Sequence, residues 1–280
     1  MHRPVHGMQA SIMRSLERRL RERIEQLGPS AVALSGGVDS ALLLAVCAET
    51  LGPQRVLALT ALSELAPKGE LEAAEETARH LGVRHRWIRL EALRQPALAA
   101  NPRDRCYHCK RWLFGALLEL AAESGFSLLL HGANADDALD YRPGMRAAEE
   151  LGVRAPLLEA GLGKKQIRAL ARRRSLPVWN RPAMACLATR IPYGTPLTAE
   201  ALARVDAAEQ AVRRLLPAGT QVRVRDAFPL ARLEISRARL PLLLRGARRE
   251  RAIRELRALG YRTVAVDLEG FRSGSMNEGL

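Results

Sequence analysis

Six residues, Ser35-Gly36-Gly37-Val38-Asp39-Ser40, carry the clearest chemistry in the chain. They follow the apolar run Ala31-Val32-Ala33-Leu34 and lead into Ala41-Leu42-Leu43-Leu44-Ala45-Val46. A strand, a glycine turn and a helix start in that order aim free backbone N–H groups at one point, where the helix dipole adds partial positive charge. Two adjacent glycines let the main chain close on an anion with no Cβ in the way. Ser35 and Ser40 can donate hydroxyl hydrogen bonds, and Asp39 can hold a magnesium ion that bridges phosphates. A phosphate cradle is the expectation. It is not of the Walker A type, because no Gly-Lys-Ser/Thr closes it; the competing reading is an ordinary glycine turn.

Three further groups bear chemistry. His131-Gly132-Ala133-Asn134-Ala135-Asp136-Asp137 offers a glycine, an amide and two carboxylates, suited to closing around a nucleotide and its metal. Read alone, it is a helix start with Asn134 or Asp136 as N-cap. Cys106-Tyr107-His108-Cys109 is a C-x-x-C pair, and Cys186 stands far along the chain. Three thiolates can hold three irons of a [4Fe–4S] cube and leave the fourth open. They can equally make most of a zinc site completed by His108 or His131, or act as a redox pair beside an unrelated thiol. Cys47, among Leu43, Leu44 and Val46, reads as core. Lastly, Gln221-Val222-Arg223-Val224-Arg225 alternates with period two, so Val222 and Val224 point inward and both arginines lie on the other face. Arg232 and Glu234 are expected to face out in the neighbouring run. Arg190, Arg223, Arg225 and Arg272 are then candidates for a substrate phosphate, since arginine grips such anions with a two-pronged fork; a solvated sheet face is the alternative.

Short apolar runs at 31–34, 55–61, 85–90 and 127–132 alternate with helical patterns at 40–50, 68–81 and 109–123, the rhythm of a parallel α/β sheet. An amphipathic segment, 8–26, precedes the first strand. Prolines crowd 177–197, around Cys186, and break the rhythm. A helix at 198–216, strands at 221–225 and 230–235, a helical stretch at 237–259 and a strand at 263–267 follow. The expected organisation is a nucleotide domain over 1–176, a cysteine-bearing hinge over 177–197 and a smaller α+β domain over 198–280 for substrate binding or oligomerisation.

The chain has 280 residues, a formal charge of +14 and 48% apolar content, enough for a sizeable core. Only four of its 44 basic residues are lysines, and aromatics make up 4%, so base-stacking platforms are scarce. Anionic small molecules are expected, and a nucleic-acid partner is not. No secretory signal or membrane span is legible, and cysteines in a cytoplasmic chain read as ligands or reactive thiols before disulfides.

The glycine segment resembles the PP-loop of ATP pyrophosphatases, which cut ATP to AMP and pyrophosphate and activate a carbonyl oxygen with the AMP. Together with Asp104-Arg105-Cys106-Tyr107-His108-Cys109-Lys110, Gly132–Asp137 followed by Tyr141-Arg142-Pro143-Gly144, and Pro182-Ala183-Met184-Ala185-Cys186-Leu187-Ala188-Thr189-Arg190-Ile191-Pro192-Tyr193-Gly194, the chain resembles the LarE family of ATP-dependent sulfur transferases. That resemblance implies an adenine nucleotide alpha hydrolase-like sheet with helices on both faces. It implies ATP and magnesium, with Ala33, Ser35–Ser40, Thr60, Gly132, Asn134, Asp136 and Asp137 around the nucleotide. It further implies adenylation of pyridinium-3,5-biscarboxylic acid mononucleotide, replacement of oxygen by sulfur for the nickel-pincer nucleotide of lactate racemase, and a hexamer. Members with three matching cysteines look like [4Fe–4S] proteins, and those with one give up the sulfur of the residue matching Cys186. His131 departs from the family pattern, where an acidic or small residue precedes the glycine. The rival readings are a tRNA-thiolating PP-loop enzyme and a zinc-stabilised ATP sensor.

Overall fold

The computed structural model describes residues 4–139, 143–182, 185–272 and 276. Tyr141, Arg142, Ala183, Met184 and the Ser273–Ser275 segment lie outside them. The chain folds as two units: residues 1–62, 69–90 and 104–181 form one, and 63–68, 91–103 and 182–280 the other.

Alternating apolar residues on short strands organise the first unit. Strands β1 (Ser30–Ala33), β2 (Val56–Leu62), β3 (Arg84–Arg89) and β4 (Leu129–Leu130) pair in parallel in the order β3-β2-β1-β4. Val32, Val56, Ala58 and Leu130 point to one face, and Ala31, Leu57, Leu59 and Leu129 to the other. On the first face sit α1 (Pro4–Leu27), α2 (Val38–Leu51) and α6 (Lys164–Arg173), through Leu20, Ile24, Leu42, Leu44, Ile167 and Leu170. The second face is covered by α4 (Arg105–Glu123), through Phe114, Leu117 and Leu120. Helices α3 (Glu70–His80) and α5 (Pro143–Glu150) also belong to this unit. Leu42, Leu43 and Leu44 are wholly buried, because α2 is apolar on every side; each such side chain stabilises by roughly 1.5–3 kcal/mol. The expected α/β class with a parallel sheet is borne out. The chain runs outward from β1 to β3 and then returns to the far side of β1 as β4. The order reverses between β1 and β4, and loops leaving that point form the crevice where such sheets bind ligands.

The second unit contains α7 (Ala199–Arg214), β5 (Val222–Ala227), β6 (Leu230–Ile235), α8 (Gly246–Ala258) and β7 (Thr263–Val266). β5 and β6 are antiparallel, while β7 runs parallel to β6 after the α8 crossover. Its core gathers Val212, Val222, Val224, Leu233, Ile235, Leu256 and Tyr261. Two excursions join it: Ala92 donates its amide to Glu64 Oε2 at 2.8 Å, and buried Asn101 donates Nδ2 to the carbonyls of Pro192 and Thr195 at 2.9 and 3.0 Å. Among the described residues no helix is long and apolar enough to cross a membrane.

Candidate active site

The glycine loop occupies the switch point. Leu34 ends β1 by donating its amide to Leu59 O at 2.8 Å, and the chain then turns sharply at Gly36, whose φ is +68°. A Cβ at Gly36 would stand 2.5 Å from Glu70 O, so only glycine lets α3's first residue approach. Ser40 Oγ closes the turn from inside: it accepts from Ser35 N at 3.1 Å, donates to Gly37 O at 3.1 Å, and lies 3.2 Å from Ser35 Oγ. Gly37 supplies no side-chain cap to the first-turn amides of α2, which point out of the helix start toward the loop. Asp39 gives Oδ2 to the Lys164 ammonium, while its Oδ1 is buried with no hydrogen-bond partner. A desolvated carboxylate oxygen beside free amides fits a metal-bound polyphosphate.

The second loop lies against the first. A Cβ at Gly132 would be 2.7 Å from Ser40 N, which explains a glycine at the end of β4. Asn134 N donates to Asp137 Oδ2 at 2.9 Å, Asp136 N to Asn134 Oδ1 at 3.0 Å, and Lys164 N to Asp136 Oδ2 at 2.7 Å. Asn134 and Asp137 are therefore buried braces, and Asp136 caps α6. The segment itself starts a helical turn over Ala135–Leu139 with Asn134 accepting from Asp136 N, while Asp136 caps a separate helix, the α6 that carries Lys164.

Two expected nucleotide residues have structural duties. Ala33 is the half-buried last residue of β1. Buried Thr60 donates Oγ1 to Leu34 O at 2.7 Å and lies 2.9 Å from His85 Nε2, so its hydroxyl fixes the strand end. His131 packs edge-on against Phe114, and burial, helped by the Lys110 charge, holds its pKa down to about 4. Burial raises the Glu70 carboxyl to about 7, against the pull of Arg181 and Lys110. Arg181 donates to Gly69 O at 2.9 Å and to Gly36 O at 3.5 Å, tying the turn to α3. Lys164, Arg181 and Glu70 escape the sequence reading. Lys164 alone left a signal there, as a cation at a helix start, against the dipole.

Cys106 and Cys109 are half-buried on the first turn of α4, three residues apart and so on one helix face. Burial is the main reason the Cys109 thiol pKa is raised. Cys47 is wholly buried in the core, and burial pushes its thiol far up. Cys186 belongs to the second unit. Its carbonyl accepts from Thr189 N at 3.0 Å, Thr189 Oγ1 at 2.7 Å and Arg190 Nη1 at 3.2 Å.

The arginines correct the expectation of an outward basic face. Arg190 is buried and grips Glu209 with Nε and Nη2 at 2.6 and 3.1 Å, while Nη1 also holds Ala185 O at 2.9 Å. Arg225 grips Glu234 at 2.7 and 2.8 Å and donates to Thr189 O. Glu234, expected outside, is fully buried because it neutralises Arg225, whereas Arg232 is exposed as expected. These two guanidiniums build the Cys186 loop. Arg272 pairs with Glu269. Arg223 differs: its guanidinium sits 4.5 Å over the Phe271 ring, and burial, with Arg190 and Arg225 nearby, lowers its pKa to about 10. Glu234 and Glu209 partly offset that lowering.

The asparagine synthase family model matches residues 11–185. The chain is 38% identical over 257 residues to the pyridinium-3,5-bisthiocarboxylic acid mononucleotide synthase of Lactiplantibacillus plantarum, covering 92% of each chain. It is 38% identical over 261 residues to an uncharacterized protein of Synechocystis, covering 93% of this chain and 96% of that one. An NH(3)-dependent NAD(+) synthetase of Methanoregula boonei is 32% identical over 121 residues, 43% of this chain and 46% of that one. A glycine loop at the sheet's switch point and a full-length likeness to that synthase agree: the chain belongs to the LarE-like family of PP-loop ATP pyrophosphatases and is an ATP-dependent enzyme.

Proposed function

We propose that this enzyme adenylates a carboxylate of pyridinium-3,5-biscarboxylic acid mononucleotide and then replaces that carboxylate's oxygen with sulfur, a step toward the nickel-pincer nucleotide. The observation that carries this reading is the glycine loop with Asp39 Oδ1 buried and unpartnered at its centre, in a chain similar along 92% of its length to a synthase of the bisthiocarboxylic product. The substrate carboxylate attacks the α-phosphorus of ATP, the α–β bond breaks, and pyrophosphate departs from the loop amides and α2's start. Asp39 would hold the magnesium ion. AMP is a good leaving group, so a sulfur nucleophile can attack the acyl carbon and expel it.

Arg223 is assigned the substrate phosphate, with Arg190, Arg225 and Arg272 positioning the surrounding loops. Arg190 supports this, because it holds the Cys186 carbonyl and its charge is felt by Arg223. Phosphate grip and sulfur donor then share one unit. Cys106, Cys109 and Cys186 are proposed to hold a [4Fe–4S] cluster, which would supply sulfide on its open iron.

Cys186→Ala is expected to abolish the thiolated product while substrate-stimulated pyrophosphate release continues. Loss of both activities together would overturn the division between the glycine loop and Cys186. Protein purified without oxygen should carry about four irons with labile sulfide. Zinc without iron, or a mass loss of about 34 Da at Cys186 after turnover, would replace the cluster with another site or with sacrifice of the cysteine's own sulfur.

A further inference from the structure

Glu70 is the first residue of α3, where the helix dipole favours an ionised acid. Burial nevertheless raises its carboxyl to about 7, against the pull of Arg181 and Lys110. Its place is fixed from two sides. The main-chain carbonyl lies so close to Gly36 that a Cβ there would stand 2.5 Å away, which seats Glu70 beside the glycine loop. Arg181, bonded to Gly69 O and Gly36 O, is the nearer of the two charges in effect. Lys110 comes from α4, its ammonium 5.1 Å from the centre of the Phe114 ring, and its charge also reaches His131 and Cys109. The Glu70 carboxyl therefore lies between the glycine loop and α4, and all of these groups belong to the first unit.

Neither cation satisfies it. Among the described residues the half-buried Glu70 side chain has no hydrogen bond and no ion pair. Arg181 spends its donors on the two glycine carbonyls, and the Lys110 stem is pressed against Gly144, where a Cβ would stand 2.8 Å from Lys110 Cγ. A carboxylate left so is costly as an anion, and a cation brought in by a ligand removes that cost.

The substrate of the proposed reaction carries such a cation. Its pyridinium nitrogen is quaternary, charged at every pH and without an N–H, so it pairs through charge alone. The carboxylate to be adenylated is bonded to that ring and must reach the α-phosphate of a nucleotide whose pyrophosphate sits on the glycine loop. The ring is thereby brought next to the loop, where α3 begins.

We propose that Glu70 is the counter-charge of the substrate's pyridinium ring, a specificity residue that selects a cationic ring over a neutral one. This rests on the function proposed above. It carries a thermodynamic signature, because pairing with a fixed cation favours the ionised carboxylate and expels its proton.

The test is calorimetric binding at pH 7, with magnesium α,β-methylene-ATP present, in two buffers of different ionisation enthalpy. The ligands are pyridinium-3,5-biscarboxylic acid mononucleotide and an analogue whose ribose phosphate is carried on a neutral 3,5-dicarboxyphenyl ring. Glu70→Gln should weaken the pyridinium ligand about tenfold and leave the neutral-ring analogue within about twofold. It should also remove a release of about half a proton per site that the wild type shows with the pyridinium ligand alone. Glu70→Asp, which keeps the charge, should retain the preference for the cationic ring. Equal losses for both ligands would make Glu70 a prop for the glycine loop. Unchanged affinities, or proton release that persists in Glu70→Gln, would remove it from the ring. Should Glu70→Gln fail to fold, the wild type decides alone: its preference for the pyridinium ligand should rise from pH 6 to pH 8, and a constant preference overturns the proposal. If the wild type binds the ATP analogue but neither mononucleotide, the substrate reading itself falls, and this inference with it.

Discussion

The glycine loop at Ser35–Ser40 and the loop that carries Cys186 are held by opposite means. Around Ser40 the contacts are short in sequence: hydroxyl to amide and carbonyl within five residues, and glycines where a Cβ would collide. Around Cys186 the contacts are long: Arg190 to Glu209, Arg225 to Glu234, and Asn101 to Pro192 and Thr195. The first loop keeps its amides available for a ligand. The second spends buried guanidiniums on its own shape, which is costly unless each charge is matched. A nucleotide loop needs preformed donors, whereas a thiol loop between prolines needs an external frame.

The sharpest way to break this contrast is Glu209→Ala. It leaves Arg190 buried without its carboxylate and removes the acceptor for Val224 N, bonded at 3.1 Å. A loss of about 3–5 kcal/mol in urea unfolding is expected. Replacing Arg190 and Glu209 together by Met and Leu should cost far less, and equal losses would mean that packing, not charge matching, shapes the loop.

Gly36→Ala probes the other loop. Positive φ and the 2.5 Å approach of Glu70 O should together cost about 1–3 kcal/mol, with ATP affinity falling far more than stability. A variant that binds ATP normally would show that the close approach of α3 is dispensable.

The smallest effect concerns pH. His131 has its pKa lowered to about 4 inside the fold, so the folded chain binds fewer protons than the unfolded one between that value and about 6.5. Its contribution is complete above about pH 6.5 and disappears as pH falls toward 4. Stability should drop by about 1–2 kcal/mol more between pH 7 and pH 5 in wild type than in His131→Gln. Parallel pH profiles would mean that the imidazole titrates freely.

Much of the first unit was legible because its signals are local. Apolar runs located all four strands to within a few residues, and the order of strand, glycines and helix located the turn between β1 and α2. The arginine face was misread because period-two alternation says which residues share a side but not what covers that side. Thr189 O takes Arg225 and Phe271 stacks on Arg223 on that side, while Glu209 of α7 takes Arg190 and the Val224 amide. The excursions at 63–68 and 91–103 had no local mark either. Asn101 adopts a φ of +54° so that its side chain can brace the 192–195 turn, and nothing around it in sequence announces that duty.

By itself, then, the amino-acid order determined the parallel sheet and the glycine turn after its first strand, since each depends on neighbours a few residues apart. Tertiary structure alone decided which charges are consumed and which are offered. Arg190 and Arg225 are spent on buried glutamates, Arg223 stacks on Phe271, and Lys164 is set on Asp39. The reason is physical: the free energy of a charge depends on burial and on partners that the chain brings from far away.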